Sequence, residues 1–244
     1  MSFWKDTTYR SEETEIMDDL EMGGPLVISA LDHLAAINKW LGGNQVTMNG
    51  IEKLLKKRPK SAEITILDLG CGNGDMLRQV ADFGRKSGYN FKLIGIDANP
   101  VTVAYARSLS KNYPEISYNQ QDVLSEEFKE VKYEIALCTL FLHHFKDDFI
   151  FKFVNALTRN ASIGVVVNDL HRHPMAHILF RLLSIFITNE IVIADGLTSI
   201  LRAFKRKDLE KYAQRVPFKS SIRWCWAFRF QWIIDKKIKY SLSI

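Results

Sequence analysis

Between residues 63 and 170, short apolar runs alternate with segments whose apolar residues recur at helical spacing. The apolar runs predict five strands, at 63–70, 91–98, 116–123, 133–142 and 162–170. The intervening amphipathic segments predict helices, including a short one near 125–130. Strands that alternate with helices form βαβ units, so the pattern predicts an α/β fold with a doubly wound, mostly parallel sheet.

The segments that flank this core are mostly helical in pattern. Three N-terminal helices are predicted, in EETEIMDDLE, in PLVISALDHLAAINKW and in VTMNGIEKLLKK. We interpret residues 1–60 as a helical cap and residues 61–244 as the main domain. Within that domain the apolar stretch 171–204 either roofs a pocket as a helical lid insertion or packs on the sheet. The C-terminal KSSIRWCWAFRFQWIID alternates with period two and predicts two strands.

Composition narrows the class of protein. The chain has 244 residues and a net charge of +5, and its lysines and arginines are mostly scattered, so we expect no nucleic-acid partner. The three cysteines show no CxxC spacing, which suits a reducing compartment. The N-terminus is polar and predicts no secretory signal, and the apolar run 177–194 contains charges that argue against a membrane span. We therefore predict a cytoplasmic protein.

The stretch EITILDLGCGNGDML joins the first strand to a helix through a glycine-rich turn. Gly70, Gly72 and Gly74 stand where a strand ends and a helix begins. Glycine allows a positive φ and close approach of the backbone to a ligand, and a helix N-terminus offers free N–H groups to an anion. The turn therefore predicts a nucleotide or nucleoside site, without deciding which ligand occupies it.

Carboxylates near the turn distinguish the two main possibilities. Asp97 at the end of the second strand can accept hydrogen bonds from ribose hydroxyls, and Asp122 at the end of the third can accept from an adenine amino group. The dinucleotide pattern GxGxxG is incomplete, and Asp75 is an unfavourable charge beside a diphosphate. Asp68 suits a cationic amino-acid end instead. S-adenosylmethionine, a nucleoside with an ammonium and a carboxylate, fits this pattern better than a nicotinamide dinucleotide.

These motifs resemble those of a known family. ILDLGCGNGD, LIGIDANP, YNQQDV and YEIALCTLFLHHF look like the class I S-adenosylmethionine-dependent methyltransferases over about 63–170. The resemblance implies a Rossmann-like seven-stranded sheet whose last strand is antiparallel. It implies that the glycines line the methionine end, Asp97 holds the ribose, and Asp122 and Val123 hold the adenine. The predicted cofactor residues are Asp68, Gly70, Cys71, Gly72, Asn73, Gly74, Asp97, Ala98, Asp122, Val123 and Leu140.

The flanking segments resemble a narrower branch of that family. INKWLGGNQVT and NDLHRHPMAHILFRLLS are similar to ubiquinone/menaquinone methyltransferases and to enzymes that methylate phenolic polyketides. This resemblance implies a small hydrophobic acceptor that is methylated on an oxygen atom. Methylation on a carbon atom is the second alternative. LFRLLSIF could make transient contact with a membrane interface. An RNA or protein methyltransferase and a non-catalytic binding module remain as alternatives.

Histidines supply candidates for a base. A phenol or enol must lose a proton when it is methylated, and histidine suits this role near neutral pH. His143 and His144 follow the fourth strand, and His171 and His173 follow the fifth. We expect Asp169 to orient His171 or His173 as a carboxylate partner. His143 and His144 could instead contact the cofactor or lie at a helix start. No tight ligand spacing requires a metal, and we predict none.

Overall fold

The computed structural model describes residues 5–56, 58–125, 128 and 131–239. These residues contain seven strands: β1 (Glu63–Leu69), β2 (Asn90–Asp97), β3 (Ile116–Gln120), β4 (Tyr133–Thr139), β5 (Ala161–Leu170), β6 (Phe218–Cys225) and β7 (Arg229–Lys239). The α-helices are α1 (Pro25–Trp40), α2 (Gly43–Leu55), α3 (Asp75–Ser87), α4 (Pro100–Leu109), α5 (Asp147–Asn160), α6 (Pro174–Leu183), α7 (Glu190–Arg202) and α8 (Arg206–Ala213).

All seven strands form one sheet in the order β3-β2-β1-β4-β5-β7-β6. The first five pair in parallel, whereas β7 is antiparallel to both β5 and β6. The strand order reverses between β1 and β4, which is the point where doubly wound sheets open a crevice for ligands. The predicted α/β fold with an antiparallel last strand is confirmed.

Side-chain alternation along the strands builds a core on each face of the sheet. On β1, Ile64 and Ile66 join the cluster that packs on α2 and α3, while Leu67 and Leu69 join the cluster that packs on α5. Successive residues of a strand point to opposite faces of the sheet. Because helices cover both faces of this sheet, residues on both faces are buried and the strand is nearly continuously apolar. Asp68 is a polar interruption in that run, and it faces the ligand crevice.

Local sequence explains where the helices beside the crevice begin. Gly74 adopts a left-handed conformation immediately before α3. Before α4, the Asn99 side chain accepts hydrogen bonds from the backbone N–H groups of Val101 and Thr102, and Pro100 fixes the first helical φ. Both helices therefore start at the carboxyl ends of β1 and β2, with their N-termini at the crevice.

Two expectations about local structure were wrong. EETEIMDDLE is not an α-helix; only Ile16–Asp18 forms a 3₁₀ turn, and the neighbouring residues are irregular. β3 ends at Gln120, so Asp122 lies in the following turn rather than at the strand end. Most of the short helix predicted near 125–130 lies outside the described residues.

The stretch 171–204 is largely helical, as its pattern predicted. It contains α6 and α7, which pack on each other and against α1 through Ala30, Ile191 and Val192. A part of this stretch presents apolar side chains outward, with Ile185 75% and Phe186 83% exposed. Across the described ranges, the helices are too short or too polar to cross a bilayer.

Candidate active site

A large cavity opens at the carboxyl ends of the parallel strands. Its volume is about 1510 Å³, larger than the roughly 300–1,000 Å³ typical of a site for one small ligand. All of the predicted cofactor residues except Gly74 line it. Its other walls come from residues 8–22, from α1, α6 and α7, and from the turns after β4 and β6. The cavity therefore has room for a nucleoside and a second small molecule.

The glycine turn forms one wall of this cavity. Gly70, Gly72 and Gly74 have φ values of +66°, +53° and +77°, in the left-handed region that favours glycine. A Cβ on Gly70 would collide with the ring of Phe141, and one on Gly74 with the hydroxyl of Tyr118. At Gly70 and Gly74, glycine is thus required both by the backbone conformation and by close packing, whereas at Gly72 it is favoured by the backbone conformation alone.

Asp68 is the most deeply buried acid in this wall. Its side chain is 2% exposed, and its Oδ1 has no hydrogen-bond partner among the described residues. Burial, together with the charges of Asp75 and Asp97, raises the pKa of Asp68 well above its usual range. A positively charged ligand group beside Asp68 would offset that penalty.

Asp97 and Asp122, the two acids predicted to bind adenosine, lie in different environments. Asp97 is held by the turn itself, because its Oδ2 accepts from the N–H of Gly72 at 3.2 Å and its Oδ1 from the N–H of Asn99 at 3.1 Å. Burial raises the pKa of Asp97. Asp122 is exposed, and its Oδ1 accepts from the N–H of Leu124 at 2.8 Å. Both acids line the same cavity as the glycine turn.

Asp169 is bonded to His143 rather than to His171 or His173. The Nδ1–H of His143 donates to Oδ1 of Asp169 at 2.7 Å. The two side chains are 3% and 0% exposed. Burial lowers the pKa of His143, but the charges of Asp169 and Glu15 outweigh it and raise this pKa to about 10. His143 lines the cavity, so this pair places an oriented imidazole there.

His144 is bonded to a different acid. Its Nδ1–H donates to Oδ1 of Asp18 at 2.7 Å. The Arg202 guanidinium also binds Asp18, at 2.5 Å. These contacts join the end of α7 and the histidine turn to the N-terminal segment.

His171 and His173 have other partners. The indole N–H of Trp224 donates to Nδ1 of His171 at 3.2 Å, and burial lowers the pKa of His171 to about 4. Nδ1 of His173 accepts from the N–H of Met175 at 3.1 Å at the start of α6. His171 lines the cavity, but it lacks an acidic partner among the described contacts, and His173 has a capping role.

The sequence reasoning missed the N-terminal segment, defined here as residues 8–22. Its Glu15 side chain is 5% exposed, and Oε1 lies 3.5 Å from Nε2 of His143. The segment is held in place by Asp195 of α7, whose carboxylate accepts from the N–H groups of Ile16 at 2.6 Å and Met17 at 2.9 Å. The available sequence signal was apolar residues at helical spacing in EETEIMDDLE, from which we predicted a helix.

A second anchor of the N-terminal segment is Arg10. Its guanidinium donates to the carbonyl oxygens of His143 at 3.0 Å and Phe145 at 2.9 Å, and pairs with Asp147 at 2.7 Å. Arg10 thus fixes the segment against the turn that carries the histidines.

Glu15, His143 and His144 bring possible metal-ligand atoms within 4.8 Å of one another. Positive charge is already supplied there, because Arg202 lies 3.7 Å from Oε1 of Glu15. His143 is itself held as a cation between two acids. We assign no metal to this cluster.

Fold and site together resemble one class of protein. The sheet order, the glycine turn after β1 and the acid at the end of β2 are those expected of class I S-adenosylmethionine-dependent methyltransferases. Residues 66–164 match a family model described as "Methyltransferase domain". Solved structures of similar fold were crystallised with SAH, the demethylated form of the cofactor. The predicted resemblance and the predicted cofactor, S-adenosylmethionine, are confirmed.

Individual relatives are similar over only part of their length. A 2-phytyl-1,4-naphtoquinone methyltransferase from Thermosynechococcus vestitus is 39% identical over 64 residues, which are 26% of this chain and 27% of that protein. The protein-lysine N-methyltransferase EFM4 of Saccharomyces cerevisiae is 33% identical over 82 residues, 32% of this chain and 33% of that protein. The matched parts span one third or less of these curated relatives.

Solved structures share the fold at low identity. The plantazolicin methyltransferase BamL, in complex with a triazolic desmethylPZN analog and SAH, has a TM-score of 0.64 at 12% identity, covering 84% of this chain and 89% of that one. The CurJ carbon methyltransferase has a TM-score of 0.58 at 13% identity, covering 79% and 53%. At identities of 12% and 13%, the likeness concerns the fold alone.

Proposed function

We propose that this protein is a methyltransferase that acts on a small hydrophobic acceptor with an acidic hydroxyl group, with His143 as the base. An activated carbon is the second possible position of methylation. The observation that supports this most directly is the buried His143–Asp169 pair in the same cavity as the glycine turn. S-adenosylmethionine supplies the methyl group when it is bound.

The residues at the glycine turn suit that cofactor. Asp68 offers an unpartnered buried carboxylate oxygen to its ammonium group, and the backbone at Gly72 offers a close approach. Asp97 is positioned for the ribose hydroxyls and Asp122 for the adenine. We infer that these groups hold and orient the cofactor, which is the larger part of catalysis in an in-line displacement.

His143 has the geometry of an oriented base. Asp169 accepts a hydrogen bond from the Nδ1–H, so Nε2 of the neutral ring is the nitrogen that takes a proton from an acceptor hydroxyl. Arg10 and Arg202 bind the carbonyl oxygen of His143 and fix its backbone. A base of this kind contributes roughly 10²–10⁴-fold to the rate.

The remaining walls favour an apolar acceptor. Leu34, Ile37, Phe180 and Leu183, from α1 and α6, line the cavity. Such a surface binds aromatic or aliphatic groups through burial of apolar area, and it excludes water from the reacting groups. A transient contact of exposed Ile185 and Phe186 with a membrane is compatible with such an acceptor.

The test is methyl transfer from radiolabelled S-adenosylmethionine to a panel of a naphthol, a benzenediol and a cyclic 1,3-diketone. We expect transfer to at least one hydroxyl compound, with mass spectrometry distinguishing methylation on oxygen from methylation on carbon. His143→Gln should lower kcat about 10²–10⁴-fold without weakening SAH binding. His33→Gln on α1 is the matched control and should leave the rate unchanged.

Two outcomes would contradict the proposal. The first is absence of SAH binding in calorimetry, which would remove the cofactor assignment. The second is full activity of His143→Gln. Transfer only to a lysine-containing peptide would favour a protein acceptor, the class named for the yeast relative.

A further inference from the structure

Glu15 of the N-terminal segment lies beside Nε2 of His143, the ring nitrogen that the proposed base uses to take a proton. An imidazole has two ring nitrogens, and Asp169 takes Nδ1 of His143. Oε1 of Glu15 lies 3.5 Å from the other nitrogen, Nε2. An acceptor hydroxyl needs this same position, about 2.6–3.2 Å from Nε2, to transfer its proton. Glu15 and the acceptor therefore compete for one site.

Glu15 is held there by a built framework. Its own N–H donates to Oδ2 of Asp18 at 3.0 Å, and the next two N–H groups bind the carboxylate of Asp195. Yet Oε1 of Glu15 is buried without a hydrogen-bond partner that meets ordinary geometry. The Glu15 carboxylate is held by long ionic contacts, because Oε1 lies 3.5 Å from Nε2 of His143 and 3.7 Å from Arg202, and Oε2 lies 3.9 Å from Nδ1 of His144. The backbone of the segment is anchored separately by the carboxylates of Asp18 and Asp195, so the side chain can move while those anchors remain.

We infer that Glu15 is a positioning residue that occupies Nε2 of His143 before the acceptor binds and yields this nitrogen to the acceptor's hydroxyl group. The inference rests on the proposed function, because it takes His143 as the base. When Glu15 withdraws, the imidazolium releases its Nε2 proton to water, and the lone pair then accepts the hydroxyl proton of the acceptor. Nδ1 remains bonded to Asp169 throughout.

The charges around His143 explain why this exchange matters. The charged and titratable groups in contact with His143 are Asp169 from β5, Glu15 from the N-terminal segment, His144 on its own turn, and Arg10 and Arg202 at its carbonyl oxygen. With both carboxylates in place, its pKa of about 10 keeps the ring protonated near neutral pH. A protonated ring cannot accept a proton, so removal of one carboxylate is needed to release the base.

The test measures His143 directly in the full chain saturated with SAH. Histidine labelled with ¹³C and ¹⁵N would be titrated by NMR, and the His143 signals assigned by their loss in His143→Gln. Glu15→Gln should lower the measured pKa of His143 by about 1–3 pH units, the effect expected for loss of one close opposite charge. Glu13→Gln, at an exposed position in the same segment, is the matched control and should leave it unchanged.

A second measurement uses 2-naphthol as a probe of the exchange. Added to the wild-type protein with SAH, it should lower the His143 pKa toward the Glu15→Gln value, because its hydroxyl replaces the carboxylate. If Glu15→Gln does not fold, Glu15→Asp, which shortens the side chain, should give an intermediate decrease.

The outcomes separate this inference from the proposed function. An unchanged His143 pKa in a folded Glu15 variant that binds SAH would overturn the inference and leave the proposed function standing. A naphthol that binds without changing the wild-type titration would also overturn it. Failure of SAH to bind would instead remove the proposed function.

Discussion

Replacement of Asp97 tests the cofactor site most directly. In the proposed function its carboxylate accepts hydrogen bonds from two ribose hydroxyls, and a hydrogen bond to a charged group contributes about 1.5–3 kcal/mol. Loss of both in Asp97→Ala should cost roughly 3–4 kcal/mol after water partly replaces them, which corresponds to SAH binding that is about 100–1,000-fold weaker. The same change frees the N–H groups of Gly72 and Asn99, so the glycine turn loosens as well.

Isothermal titration calorimetry with SAH measures this effect. Asp97→Asn keeps one acceptor oxygen, so its affinity for SAH should lie between those of wild type and Asp97→Ala. We expect about a tenfold loss of affinity, which corresponds to one missing interaction of ~1.4 kcal/mol. Asp82→Ala, on the exposed face of α3, is the matched control and should bind as wild type does. Affinity of Asp97→Ala within threefold of wild type, in a folded variant, would refute the placement of the ribose beside Asp97.

Further predictions concern stability and pH. Gly74→Ala places a Cβ against the Tyr118 hydroxyl at a positive φ, and should lower the free energy of unfolding by about 1–3 kcal/mol in urea titrations; an unchanged midpoint would refute the steric argument. Arg172 is 1% exposed, and Arg172→Ala should lower the free energy of unfolding by about 3–5 kcal/mol, whereas Arg206→Ala at an exposed position should lower it by about 0–1 kcal/mol. Equal losses in the two variants would contradict the structural role of the buried guanidinium. The folded-state pKa of His143 is raised to about 10, so the stabilisation that its charge gives the fold is complete at pH values below the unfolded-state pKa and is lost as pH rises toward 10. His143→Gln should therefore flatten this decline in the free energy of unfolding, measured in urea from pH 6 to 10. An unchanged pH dependence would contradict the raised pKa of His143.

Local pattern was sufficient for most of the central fold. The alternation of apolar strands and amphipathic helices predicted that β1 to β5 form a parallel sheet. Burial on both faces requires nearly continuous apolar strands, and such strands are visible in the sequence. The positions of Gly70 and Asp97 along the sequence predicted their meeting at one edge, since the carboxyl ends of parallel strands lie together. These features depend on neighbours in sequence or on the general geometry of such sheets.

Pairing within the active site required the tertiary structure. Asp169 lies near His171 and His173 in sequence, and we expected it to orient one of them. The parallel register of β4 and β5, in which Thr139 lies opposite Asn168, instead brings the turn after β4 beside Asp169, so His143 becomes its partner. Sheet register is a long-range property that no local spacing encodes.

The N-terminal segment illustrates the same limit. The sequence by itself determined a βαβ core, a glycine turn and the acids around it, because each follows from periodicity, from backbone sterics or from the ends of adjacent strands. The apolar spacing in EETEIMDDLE predicted a helix, but the carboxylate of Asp195 binds the N–H groups of Ile16 and Met17 and thereby replaces helical hydrogen bonds. Only the packing of α7 against this segment decided that Glu15 would reach His143, since a contact between residues so distant along the chain arises from the assembled fold.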